Sequence, residues 1–276
     1  MRGDRPMEEA RPDYLMENPE EAVRLDVKTD PEAVRAQAIL CGIGPGARVL
    51  DGGCGSGKTT SVIGELVQPG GSALGVDFAP ERVGFAQKTY GGRPGVMFRC
   101  MDLRRPLDEL GAFDFVWIRF VLEYYLEGSL DIVANASRVL RPGGRMCLLD
   151  LDYNCLTHYP MSAEMERTLR LLLARMMESY NFDPFVGRKL YAYLYDLGFT
   201  DIRVHLLPHH LIYGDLRQSD DFNWFKKLEM ASVKAGDIFE SYPGGYEAFS
   251  RDFTELFHSP RRLTYTPLLV AHGIKK

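Results

Sequence analysis

An α/β fold with a doubly wound, mostly parallel sheet is the class this sequence predicts, and three observations carry it. Between residues 48 and 151, short apolar runs alternate with segments of helical period, the pattern of successive βαβ units. The run Arg48-Val49-Leu50 ends in Asp51 and is followed by Gly52, Gly53, Gly55 and Gly57, then by the helix-forming Lys58-Thr59-Thr60. That order reads as a buried strand, a tight turn and a helix start whose free N–H groups can meet a ligand. A second apolar run, residues 72–76, also ends in an acid, Asp77.

The elements follow in order along the chain. Residues 1–13 are charged and proline-containing and predict no element. Helices are expected over 20–25 and 30–40, the second with Pro31 in its first turn, before Gly42, Gly44, Pro45 and Gly46 break the pattern. Strand 48–51 is followed by a helix over 59–67, closed by Pro69-Gly70-Gly71, and by strand 72–76. Pro80 opens a helix to residue 90. Strands over 96–100, 113–118 and 146–151, with a helix over 129–140, complete the alternation. Asp51, Asp77, Asp102, Arg119 and Asp150 then fall at strand carboxyl ends, where such sheets bind ligands. An amphipathic helix over 162–179, a helix over 187–197 stopped by Gly198, and strands over 199–207 and 263–273 follow. Between those two strands lies an aromatic-rich helical insertion that includes Phe222, Trp224, Phe225, Phe249 and Phe253.

At 276 residues and 45% hydrophobic content, the chain suits one large domain or one domain with an insertion. A net charge of −5 argues against a nucleic-acid partner held through phosphates. No apolar run approaches the ~20 residues that cross a bilayer, and the N-terminus has no apolar signal stretch, so no membrane partner is expected. Five cysteines, an odd number without a CxxC pair, indicate neither a disulfide framework nor a zinc site. The expectation is a cytoplasmic monomer or homodimer that acts on a small molecule and holds no metal.

The glycine turn admits three ligand readings. Gly52-x-x-x-x-Gly57-Lys58-Thr59 fits a P-loop letter for letter, and 146–150 resembles a strand ending in a metal-holding acid. A dinucleotide site needs G-x-G-x-x-G, but Lys58 or Thr60 stands at the third position. Asp51, Gly53, Gly55 and Gly57 form Asp-x-Gly-x-Gly-x-Gly. The downstream sequence favours this third reading. Asp77 stands where a carboxylate accepts from both ribose hydroxyls, which a P-loop does not require, and Leu140-Arg141-Pro142-Gly143-Gly144-Arg145 leads into the next strand. The two turns together resemble motif I and the "LKPGG" turn of the class I S-adenosylmethionine (SAM) methyltransferases. The resemblance spans roughly residues 45–207 and the last strand, and is nearest the small-molecule enzymes of the ubiquinone/menaquinone-biosynthesis type.

The resemblance implies a seven-stranded sheet in the order 3-2-1-4-5-7-6 with the last strand antiparallel. It divides the chain into an N-terminal helical lid (1–44), a SAM-binding domain (45–213), a substrate cap (214–261) and the final strand (262–276). It also implies SAM as cofactor and S-adenosylhomocysteine as product. Carried over by position, Asp51, Gly53, Gly55 and Gly57 line the methionine end, and Asp77 binds the ribose. Phe78, Met101 and Leu103 flank the adenine, Asp102 accepts from its amino group, and Arg119 stands near the sulfonium. Tyr14, Arg24 and Lys28 reach over from the lid. His158, Arg119 and Tyr153 are the catalytic candidates, His158 first because its ordinary pKa lies near 6.5. A surface histidine with no role stands beside that reading. The acceptor is expected in one pocket lined by Tyr14, Arg119, Tyr153, His158 and at least one of Phe222, Trp224 and Phe225. Two features depart from the family: Lys58-Thr59 in the turn, and Glu123-Tyr124-Tyr125 where many relatives carry histidine. No Asp/Asn-Pro-Pro-Tyr/Phe motif follows the fourth strand, which disfavours nucleobase amines as acceptors. A P-loop NTPase and a SAM-binding module without catalysis remain the alternatives.

Overall fold

A computed structural model describes residues 20–276 apart from 155 and 235, without the side chains of 219, 222, 223, 231 and 236. The sheet centres on β1 (Arg48–Gly52), buried from Val49 onward. It pairs in parallel with β2 (Ser72–Asp77) and with β4 (Phe113–Arg119). β3 (Val96–Cys100) adds outside β2, and β5 (Leu140–Leu151) outside β4, both parallel. A strand covered on both faces reads as a continuous apolar run, which is why 48–52, 72–77 and 113–119 are legible in the sequence.

Beyond β5 the direction reverses. β8 (Leu263–Ile274) runs antiparallel to β5, and β7 (Thr200–Tyr213) antiparallel to β8. Counted over the long strands, this is the expected 3-2-1-4-5-7-6 order with the last strand antiparallel. An extra two-residue strand, β6 (His158–Tyr159), pairs with the start of β8. β7 extends six residues beyond the predicted 207, through Pro208, His209 and His210. Proline is accommodated there because β7 lies at the edge, paired only with β8.

The segment before the sheet contributes α1 (Glu21–Lys28) and α2 (Pro31–Leu40). Asp30 caps α2 by accepting from the Glu32 and Ala33 N–H groups. α3 (Lys58–Leu66) starts from Gly57 in the left-handed region, and α4 (Pro80–Tyr90) follows β2 with proline in its first turn. α5 (Ser129–Arg138) leads to β5, and Ser162 caps α6 (Ala163–Tyr180) through the Met165 N–H. The predicted helix over 187–197 begins as a 3₁₀ turn over Val186–Lys189 and continues without a break as α7 (Leu190–Asp196). Gly187 lies against the Leu151 backbone, where an added Cβ would come within 2.9 Å. α8 (Gln218–Lys234) and α9 (Gly245–His258) form the insertion.

Alternate strand residues feed opposite faces. Leu50, Leu74, Val116, Ile118 and Leu148 pack with α5 and α7. Val49, Ala73, Trp117, Cys147 and Leu149 pack with α2 and α3. A third core joins α6, α8 and α9 around Trp224, Phe239, Phe249, Phe253 and Phe257. No helix among the described residues is long and apolar enough to cross a membrane.

Candidate active site

β1 delivers the chain to the glycine turn, which the Gly53 and Cys54 N–H groups tie to the Val76 carbonyl at 2.8 and 2.9 Å. Gly53 and Gly55 have φ of +75° and +52°. An added Cβ at Gly53 would run into Val121, and one at Gly55 would come within 2.9 Å of Leu25. Only glycine lets the backbone pass between these neighbours. Asp77, at the end of β2, braces the turn: its Oδ2 accepts from the Gly55 N–H at 3.0 Å. Its Oδ1 accepts from the Ala79 N–H and from Arg82 Nη2 at 3.0 and 2.9 Å. The Arg82 guanidinium lies 4.9 Å from the centre of the Phe78 ring.

These groups wall a cleft of about 120 Å³. Gly53, Gly55, Asp77, Phe78, Met101, Leu103 and Arg119 of the expected set line it. Burial lowers the Arg119 pKa to about 10, against the opposing pull of Asp51 and Asp150. Its Nε donates to Gln37 Oε1 at 2.9 Å. From above, α1 adds Leu25 and Thr29.

Three expected residues sit behind the wall rather than on it. The Asp51 carboxylate is 2% exposed and accepts from Thr60 Oγ1 at 2.6 Å; burial raises its pKa to about 7, with Thr60 and Arg119 opposing. Gly57 is the α3 cap, where a Cβ would come within 2.6 Å of Ala86. Asp102 is engaged by Arg104, whose Nη2 donates at 2.6 Å. Although burial opposes ionisation, these hydrogen bonds hold its carboxyl below the usual range. Lys58 turns to α1: its Nζ donates to the Asp26 carbonyl at 2.5 Å, and the Tyr90 hydroxyl donates to Asp26 Oδ1 at 2.6 Å. Both side chains anchor α1 over the turn, a contact that the sequence motif did not reveal.

A second, mostly apolar cavity of about 110 Å³ opens beside the first, and Tyr124 lines both. Its floor is Leu172, Leu173, Met176 and Phe182, and its polar lining includes Arg24, Lys28, Glu123, Asn154 and Lys227. Glu123 is 4% exposed and accepts from Asn154 Nδ2 at 2.8 Å. Burial raises its pKa, opposed by Lys28 and Lys227. Beneath it Asp150 accepts from the Leu122 and Glu123 N–H groups, and burial and the Glu123 charge push its carboxyl well up.

Among the described residues, those expected in a single acceptor pocket are not brought together. His158 is buried, bonded through Nδ1 to Thr264 Oγ1 at 2.9 Å and packed edge-on against Trp224 at 4.9 Å. It belongs to the aromatic core because β6 pairs with β8. Tyr153 is 40% exposed, with its ring against Phe185 and under Arg188. Neither residue lines either cavity. Arg24 lines the second cavity and pairs with Glu21. Tyr14 lies outside the described residues, as does the Phe222 side chain. Sequence reasoning also missed His209 and His210 at the β7 irregularity. The His209 ring lies 5.0 Å from Phe120, and burial, then Lys28 and Arg119, keep it well below the ordinary histidine pKa. Among the described residues no group of three or more His, Cys, Asp or Glu could hold a metal.

The model of a methyltransferase domain matches residues 50–148. An uncharacterized methyltransferase of Synechocystis is 31% identical over 165 residues, which cover 59% of this chain and 72% of that protein. The chain belongs to the class I SAM-dependent methyltransferases. An uncharacterized 37.1 kDa protein in transposon Tn4556 of Streptomyces fradiae is 28% identical over 194 residues; the chain spans about half of its length, 54%. The structure of a SAM-dependent methyltransferase from Aquifex aeolicus superposes with a TM-score of 0.52 at 15% identity, covering 94% of this methyltransferase and all of that chain, a likeness of fold. SAM is accordingly the cofactor of this methyltransferase. The cleft fits it: a glycine backbone open to close approach, a carboxylate at the end of β2, and apolar walls from Phe78, Met101 and Leu103.

Proposed function

We propose that this methyltransferase moves the methyl group of SAM to a small, partly apolar acceptor bound in the second cavity. The observation that carries the reading is Tyr124, which stands on the wall of both cavities and so makes them adjoining compartments. A bound SAM supplies an activated methyl on a sulfonium, so the protein's part is alignment and exclusion of water. In this reading Asp77 holds the ribose, the Gly53 and Gly55 backbone admits the methionine end, and Phe78, Met101 and Leu103 sandwich the adenine. Arg119 orients the reacting end. Residues 1–44 act as a lid and 214–261 as a cap over the acceptor. Where the acceptor nucleophile carries a proton, Glu123 is the group placed to take it, since its raised pKa suits a proton acceptor. His158 is not, because its ring is enclosed by Trp224 and Phe253. A reducing, cytoplasmic setting fits the free thiols of Cys41, Cys54, Cys100 and Cys147.

Calorimetry with S-adenosylhomocysteine tests the cofactor site, and mass spectrometry of acceptor libraries incubated with SAM tests the transfer. Micromolar cofactor binding and a mass gain on a small molecule are expected. Binding of Mg-ATP or Mg-GTP without SAM would restore the P-loop reading. SAM binding with no turnover on any small acceptor would make the chain a binding module.

A further inference from the structure

We infer that the acceptor is an apolar acid, whose carboxylate or similar anionic group is held by Lys28 where the second cavity meets the cofactor cleft. This rests on the reading of that cavity as the acceptor site. The cavity floor is hydrocarbon and aromatic, yet its charged lining is unbalanced. Among the described residues four cations, Arg24, Lys28, Lys227 and Lys234, face one carboxylate, Glu123. Arg24 is matched by Glu21, with hydrogen bonds of 2.6 and 2.7 Å. Glu123 is satisfied by Asn154, and Lys227 keeps contacts of its own besides lying over the Trp224 ring.

Lys28 differs from these. It ends α1, half-buried, with its Nζ 5.9 Å from the centre of the Phe120 ring and no hydrogen bond or ion pair among the described residues. An ammonium so placed lacks the partner that a desolvated charge needs. Among the described residues, Lys227 on α8, Arg24 on α1 and Arg119 on β4 repel it, and Glu123 attracts it. His209 and His210 on β7 are kept neutral by burial and by neighbouring cations, Lys28 and Lys227 among them. Burial, then Lys227 and Arg24, bring the Lys28 pKa down to about 7. An anion at this point would offset the burial and the repulsion alike, while an amine would add to the repulsion. Since α1 also carries Leu25 and Thr29 on the cofactor cleft, an anion on Lys28 lies at the junction where transfer must occur.

The test uses the full chain saturated with S-adenosylhomocysteine and two probes of equal shape, 4-phenylbutyrate and 4-phenylbutan-1-ol, in titration calorimetry. The acid should bind about tenfold or more tightly than the alcohol at low salt. At pH 8 its binding should take up as much as about one proton, seen by repeating the titration in buffers of different ionisation enthalpy. Lys28→Met should bring the acid down to the level of the alcohol and abolish the uptake, while Lys28→Arg keeps the preference. Retained binding of S-adenosylhomocysteine by both variants shows that they fold. Equal affinity for the two probes, preference for 4-phenylbutylamine, no binding of the acid at millimolar concentration, or an undiminished preference in Lys28→Met would overturn the inference. Failure of the parent chain to bind S-adenosylhomocysteine would instead remove the methyltransferase reading, and the probe comparison would then be made without it.

Discussion

Asp77 braces the turn: it accepts from the Gly55 and Ala79 N–H groups and from both Nε and Nη2 of Arg82, and it lines the cleft where the ribose is proposed to sit. Asp77→Asn keeps the shape and one acceptor oxygen but removes the charge. Cofactor affinity should fall about tenfold, or ~1.4 kcal/mol, as charge-assisted hydrogen bonds become neutral ones. Calorimetry with S-adenosylhomocysteine reads this directly, and an unchanged affinity would take Asp77 out of the ribose site. Asp51 yields a pH effect. Burial raises its folded-state pKa to about 7, so the folded chain holds this proton more tightly than the unfolded chain. The resulting stability is full below about pH 4, near the ordinary carboxyl pKa, and is lost as the pH climbs through 7. Asp51→Asn escapes that loss. Its unfolding free energy relative to the parent should grow by up to a few kcal/mol between about pH 4 and 7.5, because each tenfold gain in proton affinity on folding is worth about 1.4 kcal/mol. Urea denaturation without cofactor measures it. A relative stability that stays flat would mean that Thr60 and Arg119 already compensate the buried charge.

At the scale of elements, the lid helix depends on the turn that it covers. Lys58 and Tyr90 both bond Asp26 near the end of α1, and Leu25 packs over Gly55. Lys58→Ala should loosen α1 selectively. Amide hydrogen exchange over residues 21–28 should rise several-fold while β1 and β2 stay protected. Cofactor affinity should stay within about a factor of three, because Lys58 bonds Asp26 of α1 and does not line the cleft. A loss as large as that from Asp77→Asn would show that the lysine acts at the cofactor itself. The placement of α1 also explains why Lys28 serves the second cavity while Leu25 serves the first: the helix spans their junction.

Among the described residues there is a sheet with two covered faces and a separate aromatic core joining α6, α8 and α9. Phe249 is fully buried among Phe239, Tyr242 and Phe253. Arg262 stitches this cap to β8: its Nε donates to the Phe257 carbonyl and its Nη2 to the Gly214 carbonyl. Phe249→Ala should cost about 3–5 kcal/mol locally. The loss should appear as faster hydrogen exchange in α6, α8 and α9, with β1 to β5 unaffected and S-adenosylhomocysteine still bound. Loss of cofactor binding together with the cap would mean that the two cores unfold as one unit.

The sequence by itself determined the sheet from β1 to β5 and most of the residues that line the first cleft. Those features are local: a strand buried on both faces is a continuous apolar run, and Gly53, Gly55 and Asp77 sit at fixed spacing around one turn. Phe78, Met101, Leu103 and Arg119 follow because each stands at or just past a strand end. Only the tertiary structure decided the rest. Asp51 and Asp102 stand at strand ends as expected, but their carboxylates bond Thr60 and Arg104 and do not line the cleft. His158 and Tyr153 reach neither cavity, since β6 pairs with β8 and carries the histidine into the aromatic core. The second cavity draws Lys28, Glu123, Leu172 and Lys227 from four distant segments. No spacing along the chain encodes that meeting; it arises from how α1, α6 and α8 pack on the sheet edge.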